Sequence, residues 1–443
     1  MSAGTQAQTT LDRLSGSAHG TAGAMPWLDK LRAEAGARFA EAGLPTPRLE
    51  SWKYTNLRPL EKLDFAPSAS TPISIDRLPS LLPKGQAAQR LVFVNGQYRA
   101  DLSAAGDLPP GVEVGSLAEA LARGDSKLAD DLGHIAQDDL QLPLMDLNTA
   151  NLADGFLLRV GPGVRLDLPI EVVYLGAAPQ GAQAYHPRGL IVMGEGSQAI
   201  VVEHHDGIDD GAYFANHVCE IRIGAKAALR HYAVQAESPA AIHLASVHAE
   251  VGADGVYDSF VMARGARLSR RETRVRLAAP GAECHVNGVY MLRGEQHCDN
   301  TTIIDHLAPE TASREVFKGV IDDRARGVFQ GKIVVHPKAQ KSDGHQLSRA
   351  LLLSDLAEID AKPELEIYAD DVKCSHGATA GDIDREALFY LRTRGIGEEA
   401  ARHMLIEAFL SDTINSLAAE GLCPALMSSV GHWLSDAAER GLR

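Results

Sequence analysis

Three stretches decide the fold: Ile221-Arg-Ile-Gly224-Ala-Lys226, Glu250-Val-Gly252-Ala-Asp254 and Ala279-Pro-Gly281-Ala-Glu283. Each is a Gly-centred turn, and each is followed by a strand-like run: Ala228–Val234, Val256–Val261 and Cys284–Tyr290. The pattern begins earlier, at Leu158-Arg-Val-Gly161-Pro-Gly163 and Val192-Met-Gly194-Glu-Gly196, which lead into Ile170–Leu175 and Ala199–Glu203. Gly163, Gly194, Gly224, Gly252 and Gly281 lie 31, 30, 28 and 29 residues apart. A nearly fixed period of this size marks stacked repeats. No helical periodicity lies between the turns, so the expected class is mainly β, with a parallel β-helix or solenoid core over residues 155–380. The alternative for this region is a β-sandwich, which does not require a constant period.

The flanks read differently. Leu28, Leu31, Ala35 and Phe39 recur at helical spacing and Gly43 can stop that helix. Trp52 and Tyr54 follow Pro45 and Pro47 and read as core aromatics. Leu91–Val94 with Asn95-Gly96 is a strand and hairpin turn. Val114–Leu121 and Lys127–Leu147 read as helical or irregular. Residues 26–150 are therefore expected to form a mixed, helix-rich N-terminal region. Residues 1–25, rich in Ser, Thr, Gly, Ala and Gln without an apolar segment, are expected to be a disordered tail and not a signal peptide. After Gly381 the period becomes 3.6. Asp382 or Asp384 can cap a helix carrying Ala387, Leu388 and Leu391, with Arg392 and Arg394 at its end and Gly395 as its stop. A second helix carries Ala401, Leu405, Ala408, Phe409 and Ile414, and a third runs from Pro424 to Arg440. This 382–443 helical domain is too small to stand alone and should pack on the rod or on a partner.

Net charge is −15 over 443 residues, which argues against nucleic acid and anionic membrane surfaces as partners. No apolar run is long enough to span a bilayer. The five cysteines are widely spread, odd in number and without C-x-x-C, the usage of a reducing, cytoplasmic compartment. Arg264, Arg267, Arg270, Arg271, Arg274 and Arg276 form a basic row. It reads either as a solvated face paired with acidic neighbours or, more sharply, as a site for an anion or a flavin phosphate.

Several motifs fail on inspection. Gly327-Val-Phe-Gln-Gly331-Lys332-Ile333 is one residue short of a phosphate loop and has Ile where Ser or Thr must meet magnesium, so no ATP site is expected there. His204-His205, His243 with His248, Cys284-His285 and His297-Cys298 offer metal-ligand types without a zinc spacing. In a solenoid, however, residues far apart in sequence can stack. A stand-alone metal-dependent enzyme using Cys284, His285, His297 and Cys298 is thus one function class to test.

The last rung carries the sharper signal. In Lys362–Gly381, KPELEIYADDVKCSHGATAG, Cys374 and His376 share one face of an extended segment. A thiol beside an imidazole can ligate a soft metal or an iron–sulfur cluster, or act as an activated nucleophile. ELEIYADDVKCSHGAT, continued by DREALFYLRTRGI, closely resembles the SufD family of iron–sulfur cluster assembly proteins and, less closely, the paralogous SufB proteins. Glu50-Ser-Trp52-Lys-Tyr54-Thr55 resembles that family's N-terminal E-x-W-[KR]-Y-T signature. The resemblance implies a right-handed parallel β-helix between two helical regions, and a non-catalytic scaffold subunit. It implies a SufB-like partner through the β-helix and a SufC-like ABC ATPase docked on the C-terminal helices, through Phe389, Tyr390, Arg394, Gly395, Ile396 and Phe409. It implies a nascent cluster or iron held transiently at the SufB–SufD interface by His376, with Cys374 as a second candidate ligand, and a reduced flavin as a minor option. A homodimer through the β-helix is expected of the isolated chain. A purely structural adaptor for the ATPase is the remaining alternative.

Overall fold

A computed structural model describes residues 14, 25–65, 73, 78–82, 86–135, 142–417 and 421–439. Two parallel sheets face each other and share the chain coil by coil. One sheet contains β1 (Gln89–Val94), β2 (Gln97–Tyr98), β5 (Ile170–Gly176), β8 (Gln198–Gly207), β10 (Ala228–Ala236), β12 (Val256–Ala263), β14 (Glu283–Leu292), β16 (Ala312–Ile321), β18 (Asp343–Leu352) and β20 (Lys373–Gly381). The other contains β3 (Val112–Ser116), β4 (Phe156–Val160), β6 (Gln183–Tyr185), β7 (Arg188–Met193), β9 (Tyr213–Ile223), β11 (Ile242–Val251), β13 (Leu268–Leu277), β15 (His297–His306), β17 (Arg326–Val335) and β19 (Glu358–Ile367). Successive coils add one strand to each sheet, in parallel register: Ala228 lies beside Val256, Val256 beside Glu283, and Glu283 beside Ala312. This is the β-solenoid that the Gly period predicts, and it excludes the sandwich.

The period glycines serve two different needs. Gly163 and Gly281 adopt the left-handed conformation, with φ of 72° and 70°. Gly224 and Gly252 do not. A Cβ on Gly224 would lie 2.8 Å from the Met193 carbonyl oxygen of the preceding coil, and one on Gly252 would lie 3.1 Å from that of Ile223. These two are small so that one rung can lie on the next. In their turns the left-handed positions fall to Lys226 and Asp254, at φ 58° and 54°. Their N–H groups donate to Ala253 and Pro280 of the following coil, at 2.8 and 3.1 Å, so the backbone ladder continues around the corner.

Alternating residues point inward. Phe93, Tyr174, Val201, Leu229, Tyr257, Val286, Phe317 and Phe329 build the apolar interior. Both outer walls are covered by helices. At the N-terminal side α1 (Pro26–Ala42), short helices α2 (Arg58–Glu61), α3 (Leu117–Ala122) and α4 (Leu128–Asp131), and α5 (Pro143–Ala150) surround the first coils. Phe39, Trp52, Leu60 and Leu147 bury against Phe214, Leu244 and Leu268 on the outer face of the β9–β13 wall. At the C-terminal side α6 (Arg385–Thr393) is followed by α7 (Glu398–Leu417) and α8 (Cys423–Glu439). Ile406, Leu410, Ile414, Val430 and Trp433 close over Val202, Tyr232, Phe260, Met291 and Val320, so the C-terminal helices pack on the rod.

One local expectation needs revision. Of Val114–Leu121, read as helical or irregular, Leu117–Leu121 is helical, but Val114–Ser116 belongs to a strand antiparallel to β4; it pairs with an edge that no later coil occupies. Of the tail expected over residues 1–25, only Leu14 and Met25 lie among the described residues. Leu14 is fully buried and its carbonyl accepts a 2.7 Å hydrogen bond from His186 Nε2.

Candidate functional site

The rod is finished differently at its two ends. β2 and β3 turn back antiparallel at the start. At the far end β19 pairs only with β17, and β20 only with β18, which leaves one backbone edge of each strand unpaired. Such edges are templates for another strand unless something covers them. No described helix does so: Ile367 and Tyr368 at the end of β19 are 43% and 61% exposed. Residues that are buried in the earlier coils are here only half-buried or exposed, with no further coil over them.

Cys374 and His376 stand on this last rung. Cys374 is half-buried against Leu365, Val372 and Ile333. Burial pushes its thiol pKa up, so in the free chain it is not the activated thiolate that the bare C-x-H spacing allows. His376 is exposed. The two are neighbours on one face of the strand, with Cα atoms about 7 Å apart. In register behind His376 come Gln346 and then Glu315. Both are buried, and Gln346 Oε1 and both Glu315 oxygens have no hydrogen-bond partner. Desolvation raises the Glu315 carboxyl to about 8, with the Thr302 hydroxyl opposing it. A line of polar groups therefore runs inward from His376. Spacing alone could have found it, because 376, 346 and 315 step back by the repeat length of 30 and then 31 residues.

The other expected sites separate. Cys284 faces the interior of β14, whereas the adjacent His285 faces outward to Asp258 at 2.5 Å. Cys298 faces the interior from the opposite sheet, and His297 Nε2 lies 2.9 Å from Thr55 Oγ1 on the outer wall. These four residues cannot close on one ion, because neighbours on a strand point to opposite faces. Burial raises both thiols, Cys298 to about 12. Residues 327–333 lie within strand β17 and form no phosphate loop.

The basic row is split: Arg267 is exposed, Arg264, Arg271, Arg274 and Arg276 are half-buried, and Arg270 is buried. Arg270 is 2% exposed, stacks at 4.2 Å on Trp52 and bonds to Glu272 and Asp299. Arg274 pairs with Glu272, and Arg276 with Glu250. The acidic partners are as expected; the covering wall was not legible. That wall is the E-S-W-K-Y-T stretch itself. Lys362 Nζ on β19 meets Glu50 at 2.5 Å, Gln330 on β17 donates to the Ser51 carbonyl at 3.3 Å, Trp52 covers Arg270 on β13, and Thr55 donates to Asp299 on β15 at 2.5 Å. Six residues thus clamp four consecutive strands of one wall.

Comparison with known proteins places the chain. Residues 174–409 match the description "SUF system FeS cluster assembly, SufBD core domain", and residues 16–172 match the SufBD protein N-terminal region. The chain belongs to the SufBD family. Among its relatives, the iron–sulfur cluster assembly protein SufD of Escherichia coli is 33% identical over 90% of this chain and 91% of that protein. A SufBD family protein of Synechocystis is 31% identical over 84% of each chain, and SufD of Bacillus subtilis is 27% identical over 91% and 93%. The SufBD core match begins at Tyr174 in β5 and ends at Phe409 in α7, so it takes in the open end and α6.

The surface of α6 is the second feature of this SufBD chain that invites a partner. Asp384 caps the helix, accepting from the N–H groups of Glu386 and Ala387 at 2.9 and 3.2 Å. None of its residues is buried, and Phe389 and Tyr390 are 70% and 56% exposed. Arg394 lies over the Tyr390 ring and Gly395, at φ 86°, ends the helix. Ile396 is half-buried. Phe409 sits under Lys318 of β16, 5.0 Å from ring centre to Nζ, and so belongs to the packing of α7 on the rod. Among the described residues no helix is long and apolar enough to cross a membrane.

Proposed function

We propose that this SufBD-family iron–sulfur cluster assembly protein acts as the SufD-like subunit of a three-component scaffold. Its partners are a SufB-like paralogue at the open end of the solenoid and a SufC-like ABC ATPase on α6. The observation that carries this reading is the pair of unpaired sheet edges beside an exposed imidazole. A second solenoid supplies the missing strands and encloses His376 and Cys374, and a soft thiolate from that partner completes a labile site for iron or a nascent cluster as cargo. A site finished only at a seam opens when the seam moves, and closure of two ATPase subunits supplies the differential free energy for that movement. When the chain is alone, the same edges favour a homodimer.

The full complex, co-expressed from three chains and assayed for cluster content, tests the ligand role. His376→Ala is expected to leave complex assembly intact and to reduce bound cluster several-fold or more. Unchanged cluster content in that variant would leave the chain as a structural adaptor. ATPase docking has a separate test: Phe389→Glu with Tyr390→Glu, on a helix with no buried residue, should abolish co-purification of the ATPase while the thermal midpoint of the single chain stays unchanged. Retention of the ATPase at wild-type stoichiometry would remove α6 from the interface.

A further inference from the structure

Inside the rod, far from the open end, three imidazoles from three strands meet. His205 on β8 belongs to one sheet, and His217 on β9 and His243 on β11 belong to the other; all three point inward and are 2%, 7% and 3% exposed. One nitrogen of each lies within 4.8 Å of the others. We propose that His205, His217 and His243 form a tri-histidine site for one divalent transition ion, with zinc the best match, which staples the two sheets together in the early coils.

Ring packing explains part of this geometry. His205 extends the Phe93–Tyr174 stack at 5.2 Å, and His217 and His243 meet it edge-on at 4.5 and 4.9 Å. Packing does not explain the polar atoms. His205 Nδ1, His217 Nε2 and His243 Nδ1 are buried without a hydrogen-bond partner, and an unsatisfied buried polar group is costly. Behind the cluster stand two buried carboxylates. Glu203 Oε2 is in hydrogen-bond contact with His205 Nε2 at 3.3 Å, and Glu237 Oε2 lies 2.8 Å from His243 Nδ1 without hydrogen-bond alignment. A carboxylate on the far nitrogen is the usual support of a metal-bound imidazole, because it fixes the ring and leaves the other nitrogen for the ion. Arg271 lines the same interior.

Donors around a tetrahedral zinc at 2.0–2.1 Å lie about 3.4 Å apart, so the rings close on the ion by small rotations. A cavity of about 10 Å³ lined by Tyr174, Glu203, His205, His217 and Cys219 adjoins them, enough for about one water as fourth ligand. The atoms that converge within 4.8 Å of one another are the three imidazole nitrogens and do not include Cys219 Sγ, so nitrogen and oxygen donors are expected rather than sulfur.

The test uses the full chain, unfolded in chelator and refolded without metal, with zinc, or with cobalt(II), then desalted. The expected result is one equivalent of retained zinc, a raised thermal midpoint over the metal-free chain, and a cobalt spectrum of nitrogen and oxygen ligation without sulfur-to-metal charge transfer. His217→Gln should retain almost none, whereas the combined Cys374→Ser and His376→Ala variant should retain the full equivalent. That contrast separates this site from the open-end reading. The proposal is overturned if the refolded wild-type chain keeps no metal, if its cobalt form shows thiolate charge transfer, or if a folded His217→Gln chain keeps the full equivalent. The wild-type measurements decide alone should that variant fail to fold.

Discussion

Replacing Glu220 by leucine is expected to remove about 3–5 kcal/mol of stability, the usual cost of stranding one member of a buried ion pair. Glu220 is fully buried on β9, and the Arg188 side chain facing it from β7 is 1% exposed. The carboxylate accepts from Arg188 Nε at 2.9 Å and from the backbone N–H groups of Gly133 and Ile135 at 3.0 and 3.3 Å. Arg188 also donates to Asn148 and Thr149 of α5. One side chain therefore ties two strands, a helix and the loop after α4. Leucine in its place leaves a desolvated guanidinium and two unsatisfied amides. Adding Arg188→Met should recover part of the loss, because a buried pair exchanged for apolar groups of similar size is close to neutral. Denaturant midpoints of the single and double variants check both statements. A Glu220→Leu chain within about 1 kcal/mol of wild type would show that the network contributes little.

Glu315 gives the second large effect, and it appears as a pH dependence. Its carboxyl is raised from 4.5 to about 8 by desolvation, so between those values the folded chain holds a proton that the unfolded chain has released. The contribution is complete below about pH 4.5, declines as pH rises through this window, and levels off above about 8. At about 1.4 kcal/mol per unit the loss is on the order of 4–5 kcal/mol. Asp206, raised to about 6 by burial, slopes the same way, so the measured quantity is the difference between wild type and Glu315→Gln. The thermal midpoint of wild type should fall more steeply than that of the variant between about pH 5 and pH 9. Parallel curves would mean that the carboxyl is solvated or paired.

Much of the architecture was legible because its cause is local. Gly224 and Gly252 are conspicuous since backbone must touch backbone there, and Gly194 repeats that contact one coil earlier. The other corner of each coil was not legible: Ala266, Gly294 and Asp323 all take left-handed φ, and no single residue type marks them. Asp384, Gly395 and the α6 helix were readable because capping and termination act within one turn. Register-dependent features were not. The three central histidines lie on different coils, and His217 sits in a run, Tyr213–Ile223, whose sequence signals only a buried strand. Arg270 looked solvated because nothing near it in sequence announces that Trp52 will cover it. The last rung was legible only through a long family-like string; its physical meaning, an unfinished end, required the sheet order.

The clamp at residues 50–55 also bears on how the protein is made. The Glu50–Lys362 contact spans 312 residues, so at translation rates of about 5–20 residues per second its lysine emerges about 15–60 s after its glutamate. Until then this tryptophan-bearing segment has no complete berth. Nascent chains halted before β19 must carry it unseated, and the moment it locks down marks the wall as finished.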